Sequence, residues 1–122
     1  VSFGGEVFRL DPVPRILDAG EWQHVERGLA QRVRALEALA RDVYSDRAAV
    51  AAGVLPERVL EQAPHLEPAM HRARVTRWIA VAGLDLVRSP DGRFRVLEDQ
   101  VRMPSGLAYA LAARDALAGR LP

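Results

Sequence analysis

Gly83-Leu84-Asp85-Leu86-Val87-Arg88-Ser89-Pro90-Asp91-Gly92-Arg93-Phe94-Arg95-Val96-Leu97-Glu98-Asp99-Gln100 reads as two extended runs around one turn. Ser89-Pro90-Asp91-Gly92 has proline second and glycine fourth, the chemistry of a tight β-turn. Val75–Val87 is rich in β-branched and aromatic residues, and Arg93–Asp99 is a second strand-like run, so the spacing predicts an antiparallel hairpin. Side chains alternate along a strand, so the loop length decides which residues share a face. A loop of two or four residues centred between Pro90 and Asp91 puts Arg88 opposite Arg93, Asp85 opposite Val96 and Gly83 opposite Glu98. Asp85, Glu98 and Gln100 then project from one face, with space beside Glu98 left by Gly83. Three oxygen-bearing side chains there suit a hard dication such as Mg²⁺. A three-residue turn would reverse the parity, and spacing alone does not raise these residues above a solvated sheet face with ordinary carboxylates.

Downstream, Met103-Pro104 breaks the strand, and Ser105 is placed to cap a helix over Gly106–Ala118 that Gly119 closes. Free N–H groups at that helix start, with the guanidinium of Arg102 beside them, would favour a phosphate. Without a neighbouring metal, the same residues are a plain cap and a surface arginine.

Upstream, Phe8–Leu17 carries two prolines and reads as an extended arm. Asp18 followed by Glu21 is a capping-box pattern. It opens an amphipathic helix over about 19–44, whose stripe of Trp22, Leu29, Leu36 and Val43, with Val25, Val33 and Leu39, is expected to be buried. Ser45 or Asp46 then caps a short helix Arg47–Ala52 that Gly53 ends, and Pro56 opens a third, Glu57–Gln62. Pro64 and Pro68 bracket a loop holding His65, with His71 beyond it; their spacing matches no standard metal geometry. His24 reads as a surface or helix-packing residue, Trp22 as core, Trp78 as core or interface, and Tyr44 and Tyr109 carry no signal. The fold class is α+β: an N-terminal extended arm and helices, an antiparallel β-hairpin and a C-terminal helix.

Composition narrows the chemistry. With 122 residues the chain holds one domain or part of one. Hydrophobic residues at 49% and charged residues at 27% describe a globular protein, not a disordered one. Zero cysteines exclude a disulfide framework, a thiolate zinc site and a cysteine nucleophile. All 17 basic residues are arginine, so Schiff-base chemistry and a P-loop lysine are excluded within this chain. A net charge of +1, with acids interspersed among the arginines, gives no basic stripe for nucleic acid. No apolar run reaches a membrane span and no signal-peptide pattern opens the chain, so a cytoplasmic location is expected. The absence of an initiator methionine suggests a segment of something longer.

Gly83-Leu84-Asp85-Leu86-Val87, Leu97-Glu98-Asp99-Gln100 and Pro104-Ser105-Gly106 resemble the final metal-binding hairpin of ATP-grasp ligases. The likeness is greatest to the circularly permuted ATP-grasp proteins, whose upstream segment is also similar to Asp11-Pro12-Val13-Pro14-Arg15-Ile16, Glu21-Trp22 and Leu29-Ala30-Gln31-Arg32. The resemblance covers almost the whole chain, residues 1–122, as a single partial domain of an ATP-grasp-like fold. It implies that Asp85 and Glu98 ligate Mg²⁺ bridging the phosphates of ATP, and that Gln100 stands where the family has asparagine. Arg102, Ser105 and Gly106 would line the same site, with Arg102 neutralising charge on the transferred phosphoryl group. The implied activity is that of a carboxylate–amine ligase forming an acyl phosphate, with ATP and a carboxylate and an amine as substrates. The phosphate-binding lysine and adenine pocket are absent. Without the second lobe, the metal-bearing face is therefore expected to be partly exposed or covered by another copy of the chain. The alternative is a non-catalytic or degenerate ATP-grasp module acting as a structural or interaction domain.

Overall fold

The computed structural model describes residues 2–3, 6–7, 9, 11 and 13–119. The elements run β1 (Ser2–Phe3), β2 (Glu6–Val7), α1 (Ala19–Val43), α2 (Ala48–Ala51), α3 (Glu57–Glu61), a 3-10 turn (Pro68–Arg72), β3 (Gly83–Arg88), β4 (Phe94–Gln100) and α4 (Leu107–Leu117). This is the α+β composition the sequence predicts. β1 and β2 form a small antiparallel pair, and β3 and β4 form the hairpin. Phe8, Leu10 and Pro12 of the expected arm lie outside the described residues; its other positions form no helix or strand. The chain divides into two compact units, Val1–Glu26 with Val81–Pro122, and Arg27–Ala80.

In the first unit, α1 opens with the expected capping box. The Glu21 N–H donates to Asp18 Oδ1 at 2.8 Å, and the Asp18 N–H donates to Glu21 Oε2 at 3.3 Å. Glu21 also receives a two-pronged ion pair from Arg88 of β3, at 2.9 and 3.1 Å. The Arg88 guanidinium lies 4.7 Å from the centre of the Phe94 ring on β4, so one arginine ties helix start and hairpin together. Val25 is buried, but Trp22 is 52% exposed, against the expectation of a core tryptophan.

The second unit holds the rest of α1, with Val43, Leu60 and Ile79 as its buried apolar residues. Leu29, Val33 and Leu36 are half-buried and Leu39 is exposed, so the predicted stripe is a partly wetted face. Asp42, not Ser45 or Asp46, caps α2: its two carboxylate oxygens accept from the Ala48 and Ala49 N–H groups at 2.8 and 2.9 Å. Ser45 instead turns its hydroxyl back to the Arg41 carbonyl at 2.9 Å. That leaves Arg47 at φ 53°, a left-handed position that helps bend the chain from α1 into α2. α3 ends at Glu61, one residue before the predicted Gln62.

The first hairpin strand is shorter than predicted. Residues 75–82 are irregular, because no neighbouring strand offers a ladder. Glu37 of α1 takes that place: the Trp78 and Ile79 N–H groups donate to its two carboxylate oxygens at 2.8 and 2.7 Å. Trp78 is half-buried and stacks on Tyr44 with ring centres 4.9 Å apart, and His71 meets Tyr44 edge-on at 5.3 Å. Tyr44, silent in the sequence, is thus the hub of this unit, and its hydroxyl accepts from the Glu67 N–H at 3.1 Å.

Candidate functional site at the hairpin

The hairpin turn is one residue different in parity from the predicted loop. Gly92 N–H donates to Ser89 C=O at 2.8 Å, and Ser89 N–H donates to Arg93 C=O at 2.9 Å, which closes a three-residue loop over Pro90, Asp91 and Gly92. Gly92 takes φ +79°, the left-handed conformation this loop requires and glycine adopts freely. Arg88 therefore faces Phe94, not Arg93. On its own this shift would set Asp85 and Glu98 on opposite faces.

A second irregularity restores the face. Between Asp85 and Leu86 the register steps by one: Leu86 pairs with Val96 and Asp85 with Glu98, leaving Leu97 as the extra residue of a β-bulge. Asp85 is then directly opposite Glu98, not Val96, and Gly83 is opposite Gln100, not Glu98. Directly opposed residues of an antiparallel pair share a face, and Gln100 lies two residues beyond Glu98, so all three project together. Asp85 and Glu98 are exposed and Gln100 is half-buried. The opposite face, with Leu84, Leu86, Phe94 and Val96, is half-buried.

Gly83 has a different use from the predicted one. A Cβ there would meet the Pro104 Cβ at 3.1 Å and the Gln100 Cβ at 3.7 Å. The missing side chain lets the Pro104-Ser105-Gly106 turn fold back against the end of the hairpin. Ser105 does not cap α4; Gly106, at φ +97°, occupies the cap position with no side-chain bond, and the helix starts at Leu107. Ser105 points its N–H and hydroxyl at Gln100 Oε1, at 3.5 and 3.4 Å. Arg102 is exposed and lines an open hollow together with Glu98, Gln100 and Met103. Glu98, Gln100, Arg102 and Ser105 are thus brought to one end of the hairpin, with Asp85 across the ladder.

The donor set suits a hard cation. It consists of two opposed carboxylates offering oxygen, as Mg²⁺ prefers, with the Gln100 amide beside them. Among the described residues neither Asp85 nor Glu98 forms an ion pair, and like charges directly opposite in a sheet repel unless something neutralises them. Arg95, on the same face, is held at the hairpin tip by Ser89 at 2.8 Å and Asp91 at 3.1 Å. No group of three or more His, Cys, Asp or Glu gathers among the described residues, so any cation here rests on two carboxylates plus neutral oxygens.

Comparison with known proteins bears on this geometry. The description "Circularly permuted ATP-grasp type 2" matches residues 14–122. The chain belongs to the circularly permuted ATP-grasp type 2 family. A Frankia alni protein named "Putative glutamate--cysteine ligase 2-3" is 48% identical over 120 residues, covering 94% of this chain and 14% of that protein. An uncharacterised Mycobacterium leprae protein is 43% identical over 122 residues, with 94% and 21% covered. An uncharacterised Synechocystis protein is 36% identical over 118 residues, with 95% and 24% covered. This ATP-grasp chain therefore spans between about a seventh and a quarter of the length of these relatives. No solved structure matches it. Among the described residues of the ATP-grasp chain, no helix is long and apolar enough to cross a membrane.

The remaining sequence candidates stay apart from the hairpin face. His24 lines a separate hollow with Glu21, Gly92, Arg93 and Phe94. His65 is exposed, and His71 Nδ1 lies 3.2 Å from the Tyr44 carbonyl within the other unit. The residues that sequence reasoning missed are Glu37, Asp42 and Tyr44. None of the three carried a sign in the sequence, because each meets backbone N–H groups.

Proposed function

We propose that this chain is the metal-bearing segment of an ATP-dependent carboxylate–amine ligase. Asp85 and Glu98 would hold Mg²⁺, which would supply positive charge to the phosphates of ATP, and the Gln100 amide lies beside the acid pair. The observation that carries the reading is the direct pairing of Asp85 with Glu98 on an exposed face. Membership in the ATP-grasp family supports it, and so does the ligase name of the Frankia relative.

In such a reaction a substrate carboxylate oxygen attacks the γ-phosphorus of ATP. ADP leaves, and the resulting acyl phosphate is attacked by an amine with loss of phosphate. When bound, the magnesium supplies positive charge to the transferring phosphoryl group. Arg102, exposed on the rim of the hollow, would add a guanidinium fork for the phosphoryl oxygens, and the Ser105-Gly106 turn that follows it would complete the phosphate-binding segment. The fragment functions as one part of an ATP-grasp fold, in which a second lobe covers the acid-bearing face. A second copy of the chain on that face is an alternative cover.

Asp85→Asn and Glu98→Gln each remove one negative charge while nearly preserving volume. In the full-length ligase each is expected to lower magnesium-dependent ATP turnover by at least about a hundredfold, with an unchanged thermal midpoint, because the metal's charge is central to phosphoryl transfer. Undiminished turnover in Glu98→Gln would remove Glu98 from the site. If the wild-type full-length protein shows no turnover while its fold is intact, the chain is a non-catalytic relative serving as an interaction module.

A further inference from the structure

The Gln100 side chain does not sit free beside the acid pair. Its Nε2 faces Asp85 Oδ2 at 3.5 Å, and its Oε1 faces the Ser105 N–H at 3.5 Å and the Ser105 hydroxyl at 3.4 Å. Each contact is long, but the three lie on one amide and use both of its ends. The geometry of the backbone makes the arrangement available. Gly83, opposite Gln100, lacks the Cβ that would push Pro104 away, so Ser105 arrives within reach of Gln100. Ser105 is released for this use because Gly106 takes the cap position of α4 without a side-chain bond.

We propose that Gln100 is a positioning residue, a strut that fixes the Asp85 carboxylate by bracing it against the Ser105 turn. It acts on the cation through Asp85. An amide whose oxygen accepts from Ser105 presents its N–H₂ end to Asp85, and that end can donate but cannot ligate. The length of the side chain matters here. Asparagine, one methylene shorter, could present its carbonyl to a cation but could not span from Asp85 to Ser105. The strut also links the acid pair to the turn that opens α4, so a change at Ser105 is felt at Asp85 without Ser105 touching the metal. Groups that orient a metal ligand typically change affinity by about 10–100-fold when removed.

This inference rests on the acid pair being a cation site, and the test separates the two. Mn²⁺ alone is titrated into the full-length protein and free Mn²⁺ is followed by electron paramagnetic resonance, with thermal midpoints as the folding control. Ser105→Ala is expected to weaken Mn²⁺ binding about tenfold. Gln100→Asn, which keeps the amide, is expected to weaken it similarly, and adding Ser105→Ala to Gln100→Asn should bring no further loss. Unchanged affinity in Ser105→Ala, independent multiplication of the two losses, or equal or tighter binding in Gln100→Asn would overturn the strut and make Gln100 a direct ligand or a bystander. Glu98→Gln lies outside the strut and reports on the acid pair itself. Loss of Mn²⁺ there with no effect of Ser105→Ala overturns the strut alone, whereas no loss there overturns the cation site and the strut with it.

Discussion

Glu37 shows how one side chain can stand in for a missing strand. It accepts two backbone N–H groups, from Trp78 and Ile79, and lies 3.7 Å from the Arg41 guanidinium. The Trp78 hydrogen bond is the largest influence and holds its carboxyl below the ordinary value of 4.5; the Ile79 bond and the charges of Arg41 and Arg77 act in the same direction, and partial burial opposes them. A lowered folded-state pKa means that the unfolded chain takes up the proton first as pH falls. The stabilisation from Glu37 is therefore complete above about 4.5 and is lost as pH falls from there through the lower folded value. Thermal midpoints of wild type and Glu37→Gln should differ at neutral pH and draw together as pH falls below 4.5 through the lower folded value. Parallel curves across that range would mean the carboxylate charge does not matter to the clamp. Neither Glu37 nor the Asp42 cap was legible in the sequence, because each bonds backbone N–H groups, and every residue but proline has one. Side-chain chemistry alone cannot say which of them an acid will meet.

Among the elements, the hairpin shows what sequence can and cannot specify. The two strands, the turn glycine and the sharing of a face by Asp85, Glu98 and Gln100 were all legible. The register was not. A three-residue loop and a bulge at Leu97 each shift the pairing by one, and together they return the acids to one face. Nothing in Leu97 itself announces the bulge. Alternation is a parity argument, and parity survives an even number of shifts; the shared face was reached through a register the molecule does not use. Helix α1 teaches a related lesson. Its boundaries followed from the capping box and the apolar period, but periodicity shows which residues lie on one stripe, not whether anything covers the stripe. Leu60, 8% exposed, and Trp22, 52% exposed, measure that difference. Leu60→Ala should cost about 2–4 kcal/mol in urea unfolding, whereas Trp22→Ala should cost less than about 1 kcal/mol. A larger loss at Trp22 than at Leu60 would mean the helix face is covered in solution.

At the scale of the whole molecule, four apolar residues are buried: Val25 in the first unit, and Val43, Leu60 and Ile79 in the second, among the described residues. Meanwhile Val87, Leu97, Met103, Leu107 and Leu111 are exposed around the hairpin and α4. So small a core agrees with a chain that spans only part of its relatives' length. The family was legible in the sequence because the motif that resembles it lies within the hairpin and the turn that follows. The central claim is that Asp85 and Glu98 jointly hold the magnesium that carries ATP. Calorimetric titration of ATP into the full-length protein, with and without Mg²⁺, tests it most directly. Wild type should bind ATP at least about tenfold more tightly with Mg²⁺ than without, and Glu98→Gln should lose that difference while keeping its fold. Equal magnesium dependence in wild type and Glu98→Gln would contradict the account.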